Sequence, residues 1–64
     1  MKNIQRYTIH IEYLQPASNT MLGLVFDKRT NDIGAFVHGL IVGFLFMNRP
    51  IIKLIINKNP HNYE

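Results

Sequence analysis

The sequence predicts a single α+β domain of ββαβ order, with three strands in one sheet and one helix packed on it. Three observations carry that prediction. Apolar and polar residues alternate from Arg6 to Tyr13. The stretch Ile33–Met47 contains no Asp, Glu, Lys or Arg and repeats its large apolar residues at helical spacing. The stretch 51–57, behind Pro50, is again rich in isoleucine.

The first strand is expected over residues 5–14. Tyr7, Ile9, Ile11 and Tyr13 point one way, and Arg6, Thr8, His10 and Glu12 the other. A period of two with β-branched and aromatic residues marks a half-buried strand. Gln15-Pro16-Ala17-Ser18-Asn19 is loop chemistry, because Pro16 lacks a donor and Ser18 and Asn19 favour turns. A second strand, 20–26, places Leu22, Leu24 and Phe26 on one face and Met21, Gly23 and Val25 on the other. The two strands are expected to form an antiparallel hairpin.

Asp27–Asp32 is expected as a polar break before a helix over 31–47, with Thr30 or Asn31 as cap and Asp32 in the first turn. Ile33, Phe36, Val37, Leu40, Ile41, Phe44 and Leu45 make the expected core face. Asn48 can adopt a left-handed backbone and Pro50 cannot continue a helix, so the helix stops there. A third strand, 51–57, is expected to carry Ile52, Leu54 and Ile56 on one face. Residues 58–64 are expected to fray. A right-handed crossover and sheet order 2-1-3 complete the expected topology, with the regular first strand central.

The back of the helix is its informative side. Ala35, His38, Gly39, Val42 and Phe46 lie opposite the core face, where an ordinary exposed helix carries Lys, Glu or Gln. Gly34, Gly39 and Gly43 each cost a helix interior about 1 kcal/mol relative to alanine. Ala35, Gly39 and Gly43 recur every four residues and form a ridge with little side chain. Such a ridge admits another backbone, and a uncharged second face is expected to be covered. Ala35, His38, Gly39, Val42, Gly43 and Phe46 are therefore the expected interface with a partner. A second copy across a twofold axis is the first choice of partner, a different protein the second, and lipid the third. Length argues against lipid: fifteen helical residues rise about 22 Å, against about 30 Å of hydrocarbon.

Bulk composition narrows the function classes. The chain has 64 residues and no cysteine, which leaves room for one domain and excludes a disulfide or thiolate metal site. Seven Lys and Arg against four Asp and Glu give a charge of +3. No apolar leader follows Met1-Lys2-Asn3, so a cytoplasmic location is expected, a host cytoplasm if the source is a phage. No cofactor and no metal are expected, because the three histidines lack zinc-motif spacing. His10 and Glu12 share a polar strand face, but no third group or nucleophile accompanies them, so a non-enzymatic role is expected. His38 is expected as an interface histidine and His61 as an exposed one. Lys28, Arg29, Arg49 and Lys53 are candidate anion-binding residues, with Lys28 and Arg29 just before the helix N-terminus. With Arg6 and His10 they support an alternative, a nucleotide- or nucleic-acid-binding module whose affinity falls with salt. A small membrane-associated protein is the remaining alternative.

The ββαβ order and the run Ile51-Ile52-Lys53-Leu54, with Lys58 after it, resemble the small uracil-DNA glycosylase inhibitors of Bacillus podoviruses. The resemblance implies a homodimer with an extended sheet and paired helices. It implies inhibition through a hydrophobic pocket that receives an apolar side chain of the enzyme, helped by acidic residues that mimic DNA phosphates. Here only Glu12, Asp27, Asp32 and Glu64 are acidic. On this resemblance affinity must therefore come from the pocket, with Phe36, Leu40 and Phe44, or the back-face Val42 and Phe46, as its lining.

Overall fold

In the computed structural model, residues 4–60 are described. They form β1 (Gln5–Gln15), β2 (Thr20–Thr30), α1 (Ile33–Phe46) and β3 (Ile51–Lys58). The three strands make one antiparallel sheet of order β2-β1-β3, with the helix between β2 and β3 in sequence. This is the ββαβ arrangement that the alternation and the uncharged stretch predict.

The β1–β2 ladder runs without a slip from Gln5 opposite Thr30 to Gln15 opposite Thr20. Pro16–Asn19 close it as a turn in which the Ser18 N–H donates to the Gln15 carbonyl and the Asn19 N–H to the Pro16 carbonyl, each at 3.2 Å. Asn19 takes φ 54°, a left-handed conformation that its short polar side chain tolerates. The strand is longer than expected. Asp27–Thr30 are not a break but continue β2, because Gln5–Thr8 stand opposite them and complete the ladder. Polarity alone mistook an exposed strand end for a loop.

Directly opposed residues share a sheet face. The face of Tyr7, Ile9, Ile11 and Tyr13 therefore carries Lys28, Phe26, Leu24 and Leu22 from β2. On β3 the expected faces are only partly right. Glu12 pairs with Lys53 but Tyr13 pairs with Ile51, so Ile52 is the extra residue of a bulge. The bulge brings Ile51 onto the face of Leu54, where both pack against the core, and leaves Ile52 57% exposed.

Asp32, rather than Thr30 or Asn31, caps α1. Its Oδ1 accepts from the Ala35 N–H at 3.1 Å, and its own N–H donates to Thr30 Oγ1 at 3.0 Å. At the other end the helix stops at Phe46, one residue short of expectation. Asn48 adopts φ 57°, its N–H donates to the Leu45 carbonyl, and the Arg49 N–H donates to the Phe44 carbonyl at 2.8 Å. Those two bonds are a Schellman closure with asparagine where glycine usually sits.

The core is small. Ile9, Ile11 and Tyr13 of β1 and Val37 and Phe44 of α1 are buried, with Phe26, Ile33, Phe36, Leu40, Ile51 and Leu54 packed around them. Leu22 and Leu24 lie on the same sheet face yet remain well exposed. The reason is width: Leu22 and Leu24 stand level with Tyr13 and Ile11, which are buried, so the helix covers β1 and leaves the β2 edge open.

The expected fraying does not begin at 58. Lys58 pairs with Tyr7, and the Asn59 N–H donates to the Arg6 carbonyl at 2.9 Å. The Asn59 side chain also donates to Thr8 Oγ1, and the Asn59 backbone carbonyl accepts from Gln5 Nε2. Residues 61–64, including His61, lie outside the described residues.

Candidate functional site

The features that could act on another molecule follow from the faces just described. On α1, Phe36, Val37, Leu40 and Phe44 turn toward the sheet. Phe44 packs edge-on against Tyr13, and Phe36 edge-on against Phe26 with centroids 6.3 Å apart. Phe44 is buried, and Phe36 and Leu40 are half-buried beside it, so in the single chain these three pack against the core.

Ala35, His38, Gly39, Val42 and Phe46 face outward and are exposed, and Gly43 is half-buried. The structure brings them together as one arc along the helix. The arc is wider than the helical spacing suggests. Ile41 and Leu45, assigned to the core face, are also exposed, Leu45 at 64%. They sit at the rim of the helix, beyond the reach of a three-stranded sheet. Phe46 is 91% exposed, and Met47 follows it at the surface. No charged residue interrupts the arc from Ile33 to Met47. A methyl group added at Gly39 or Gly43 would meet nothing within 4 Å, so none of the described residues occupies the ridge.

The basic residues divide unequally between the two sheet faces. Lys28 and Arg49 lie on the helix side of the sheet, with the Lys28 ammonium 5.0 Å from the Phe36 ring centre and the Arg49 guanidinium 6.0 Å from that of Tyr13. Both cover the exposed rims of core aromatics. Arg29 and Lys53 lie on the opposite sheet face with Arg6 and His10, because they oppose Arg6 and Glu12 in the ladder. Arg6 is committed to Asp27, with Nη2 at 2.7 Å and Nε at 3.1 Å from its oxygens. This fork and the attraction of the two charges raise the Arg6 pKa. On Asp27, hydrogen bonding from Arg6 lowers the pKa against an opposing loss of hydration, with the charges of Arg6 and Arg29 adding to the lowering. Of the six candidates, Arg6, His10, Arg29 and Lys53 thus share the open sheet face, and Lys28 and Arg49 lie on the helix side.

His10 Nε2 lies 3.5 Å from Glu12 Oε2 on the open sheet face, with Lys53 opposite Glu12. No group of three or more metal-binding side chains occurs among the described residues. A cleft of about 150 Å³ at the helix C-terminal end is lined by Gln15, Pro16, Ala17, Met47, Asn48 and Arg49. Arg49 is its one ionisable residue, which gives it no acid–base pair.

A feature that helical and strand spacing did not single out is the free edge of β2. Thr20–Phe26 carries no charge, and Met21, Leu22, Leu24 and Val25 are all exposed, Val25 at 67%. The signal was present, since both faces of the expected second strand are uncharged. Its meaning depends on sheet order, which puts β2 at an edge.

No helix of the described residues is long and apolar enough to cross a membrane. No protein-family model, curated protein or solved structure matches the chain.

Proposed function

We propose that this chain is a small non-enzymatic binding protein that works as a homodimer and captures a macromolecular partner by burying apolar surface. The observation that carries this reading is the outward arc of α1, on which Val42, Leu45 and Phe46 stand in water with no charge among them. An exposed apolar patch of this kind on a small domain marks an interaction surface, and its burial would repay about 25 cal/mol for each Å² covered. A chain of this length with no cysteine gains from a subunit interface what it cannot gain from a staple.

The resemblance to the podoviral uracil-DNA glycosylase inhibitors supports the further step that the partner is a host enzyme and the outcome inhibition. Phosphate mimicry contributes little on this reading. The acidic residues are few, and Asp27 is engaged by Arg6. The apolar arc supplies the affinity, and Phe46 and Val42 replace the Phe36, Leu40 and Phe44 lining.

Light scattering on the purified chain is expected to give twice the 7.5 kDa monomer mass. In a uracil-excision assay, stoichiometric dimer is expected to stop product release by a bacterial uracil-DNA glycosylase. Phe46→Lys is expected to restore it without changing the circular dichroism spectrum. Undiminished excision in the presence of a large excess of the chain would remove the glycosylase as target.

A further inference from the structure

We infer that the chain has a second binding site, apart from the helical arc, in which Lys28, Tyr7 and Lys58 hold a short stretch of single-stranded nucleic acid. This goes beyond the protein-capture reading and does not depend on it. The basis is the sheet register. β2 and β3 both pair with β1, and Tyr7 stands opposite Lys28 on one side and Lys58 on the other. The three side chains therefore make one row across the sheet, on the face that carries the helix. Neighbouring strands lie about 4.8 Å apart, so the two lysine backbones are about 10 Å apart with the tyrosine between them. The row draws one residue from each of three strands, so no spacing in the sequence announces it.

The row sits where positive charge collects. Arg6, next to Tyr7 on β1, stands opposite Arg29 on the other face. Lys28, Lys58, Arg6 and Arg29 thus occupy two adjacent rows at one end of the sheet. Two acidic groups lie at this end, and both are engaged. Asp27 is held by the Arg6 fork, and Asp32 accepts from the Ala35 N–H as the helix cap. Neither Lys28 nor Lys58 has an ion-pair partner among the described residues, and the Lys28 ammonium rests 5.0 Å from the Phe36 ring centre. Like charges set opposite one another weaken a ladder. Local conflicts of this kind, kept at the expense of stability, mark functional positions.

The occupant follows from the chemistry of the row. Two flexible ammonium groups offer contacts to phosphate, and the aromatic ring between them offers a platform for a base. The lysines alone would suit any anion. The tyrosine selects a strand with unpaired bases, because the bases of a duplex are already stacked on one another. Phe36, near the start of α1, packs on Phe26, which opposes Ile9, so this contact falls one position short of Tyr7 on the same face. Tyr7 is half-buried and Lys58 is exposed. The site is also remote from the arc. Phe44 packs on Tyr13, which lies about 20 Å along β1 from Tyr7. Val42 and Phe46 flank Phe44 on that far half of α1, so a strand bound at Tyr7 leaves them free.

Fluorescence anisotropy of labelled oligothymidylate and oligouridylate at low salt, titrated with the full chain, tests the site. A single strand is expected to bind, with a slope of log affinity against log salt of about −1.4 for two phosphate contacts. Tighter binding of one oligonucleotide than the other names DNA or RNA as the natural strand, and either result supports the site. Lys58→Gln is expected to weaken binding about threefold or more and to make the slope shallower by about 0.7. Tyr7→Leu removes stacking and no charge, so it is expected to weaken binding about fivefold or more with the slope unchanged. Lys58 is exposed, so its variant keeps the test valid even where Tyr7→Leu fails to fold. Lys53→Gln removes the same charge from the other face of β3, and it is expected to change affinity less than about twofold, as is Phe46→Ala. Equal losses from Lys53→Gln and Lys58→Gln would reduce the binding to net charge and overturn the site. Duplex DNA bound as tightly as the single strands, or no binding of either oligonucleotide at low salt, would overturn it as well.

Discussion

The Phe44 ring meets the Tyr13 ring edge-on, with centroids 4.9 Å apart and planes at 69°. This pair ties the C-terminal half of α1 to the central strand. Both rings are buried, in a core of five such side chains among the described residues. Phe44→Ala removes the ring and leaves a cavity that a thin two-layer domain cannot refill. It is expected to cost about 3 kcal/mol, against a total stability of roughly 3–10 kcal/mol for a chain of this length. Urea denaturation followed by circular dichroism should find the midpoint of the variant well below that of wild type. A midpoint equal to wild type would show that the helix is not held by this contact.

Phe46 lies two residues further along the same helix and faces water. Phe46→Ala should therefore change stability by no more than about 0.5 kcal/mol. The contrast separates folding from binding, since both variants lose a phenyl ring but only one loses a core. Comparable destabilisation of both would place Phe46 in a packed environment that the single chain does not provide.

The Arg6–Asp27 fork gives a pH dependence whose sign is fixed. Asp27 has its folded pKa depressed by hydrogen bonding from Arg6, so its stabilising contribution is complete above the ordinary carboxylate value, about 3.9. It is lost as the pH falls through the lower folded value. Arg6, raised further from an already high value, stays charged throughout and adds no titration of its own in that range. Both groups are more than half exposed, so the effect is small and weakened by salt. A carbon-detected NMR titration should place the Asp27 carboxyl midpoint below 3.9, and Arg6→Ala should return it to the ordinary value. A midpoint unmoved by Arg6→Ala would show that the fork is not formed in solution.

Much of this fold was legible in the sequence because the physics behind it is local. Period-two alternation identified Tyr7–Tyr13 as the central strand. The uncharged helical stretch identified α1, and Asn48 with Pro50 marked its end. What remained hidden depends on how elements lie against one another. The strand character of Asp27–Thr30 comes from Gln5–Thr8 standing opposite, not from its own polar side chains. The exposure of Ile41 and Leu45 comes from the width of the sheet beneath them. The open β2 edge was visible as two uncharged faces, yet it acquired meaning only with the strand order. Arg6, His10, Lys28, Arg29, Arg49 and Lys53 form one basic set in sequence, and the sheet divides them between two sides.

The bulge at Ile52 was not legible, since nothing in Ile51-Ile52-Lys53 marks which isoleucine leaves the ladder. It has a measurable consequence. Ile51 packs with Leu54 against the core, whereas Ile52 is in water. Ile51→Ala is expected to destabilise by about 2 kcal/mol and Ile52→Ala by about 0.5 kcal/mol or less. Strict alternation of β3 without a bulge predicts the reverse order, so the two denaturation midpoints decide between the registers.

Gly39 tests the helix from the other direction. In the isolated chain a methyl group there meets nothing, and alanine removes backbone freedom from the unfolded state. Gly39→Ala should therefore stabilise the protein by up to about 1 kcal/mol. If the ridge of Ala35, Gly39 and Gly43 takes no part in self-association, the gain should be the same in dilute and concentrated samples. A ridge that closes directly on a second helix would behave otherwise. The added methyl would hold the two backbones apart, and the thermal midpoint would fall below wild type as the concentration rises. Calorimetry of Gly39→Ala across a hundredfold range of concentration thus shows whether the small residues of α1 serve the second copy or are left open to the target.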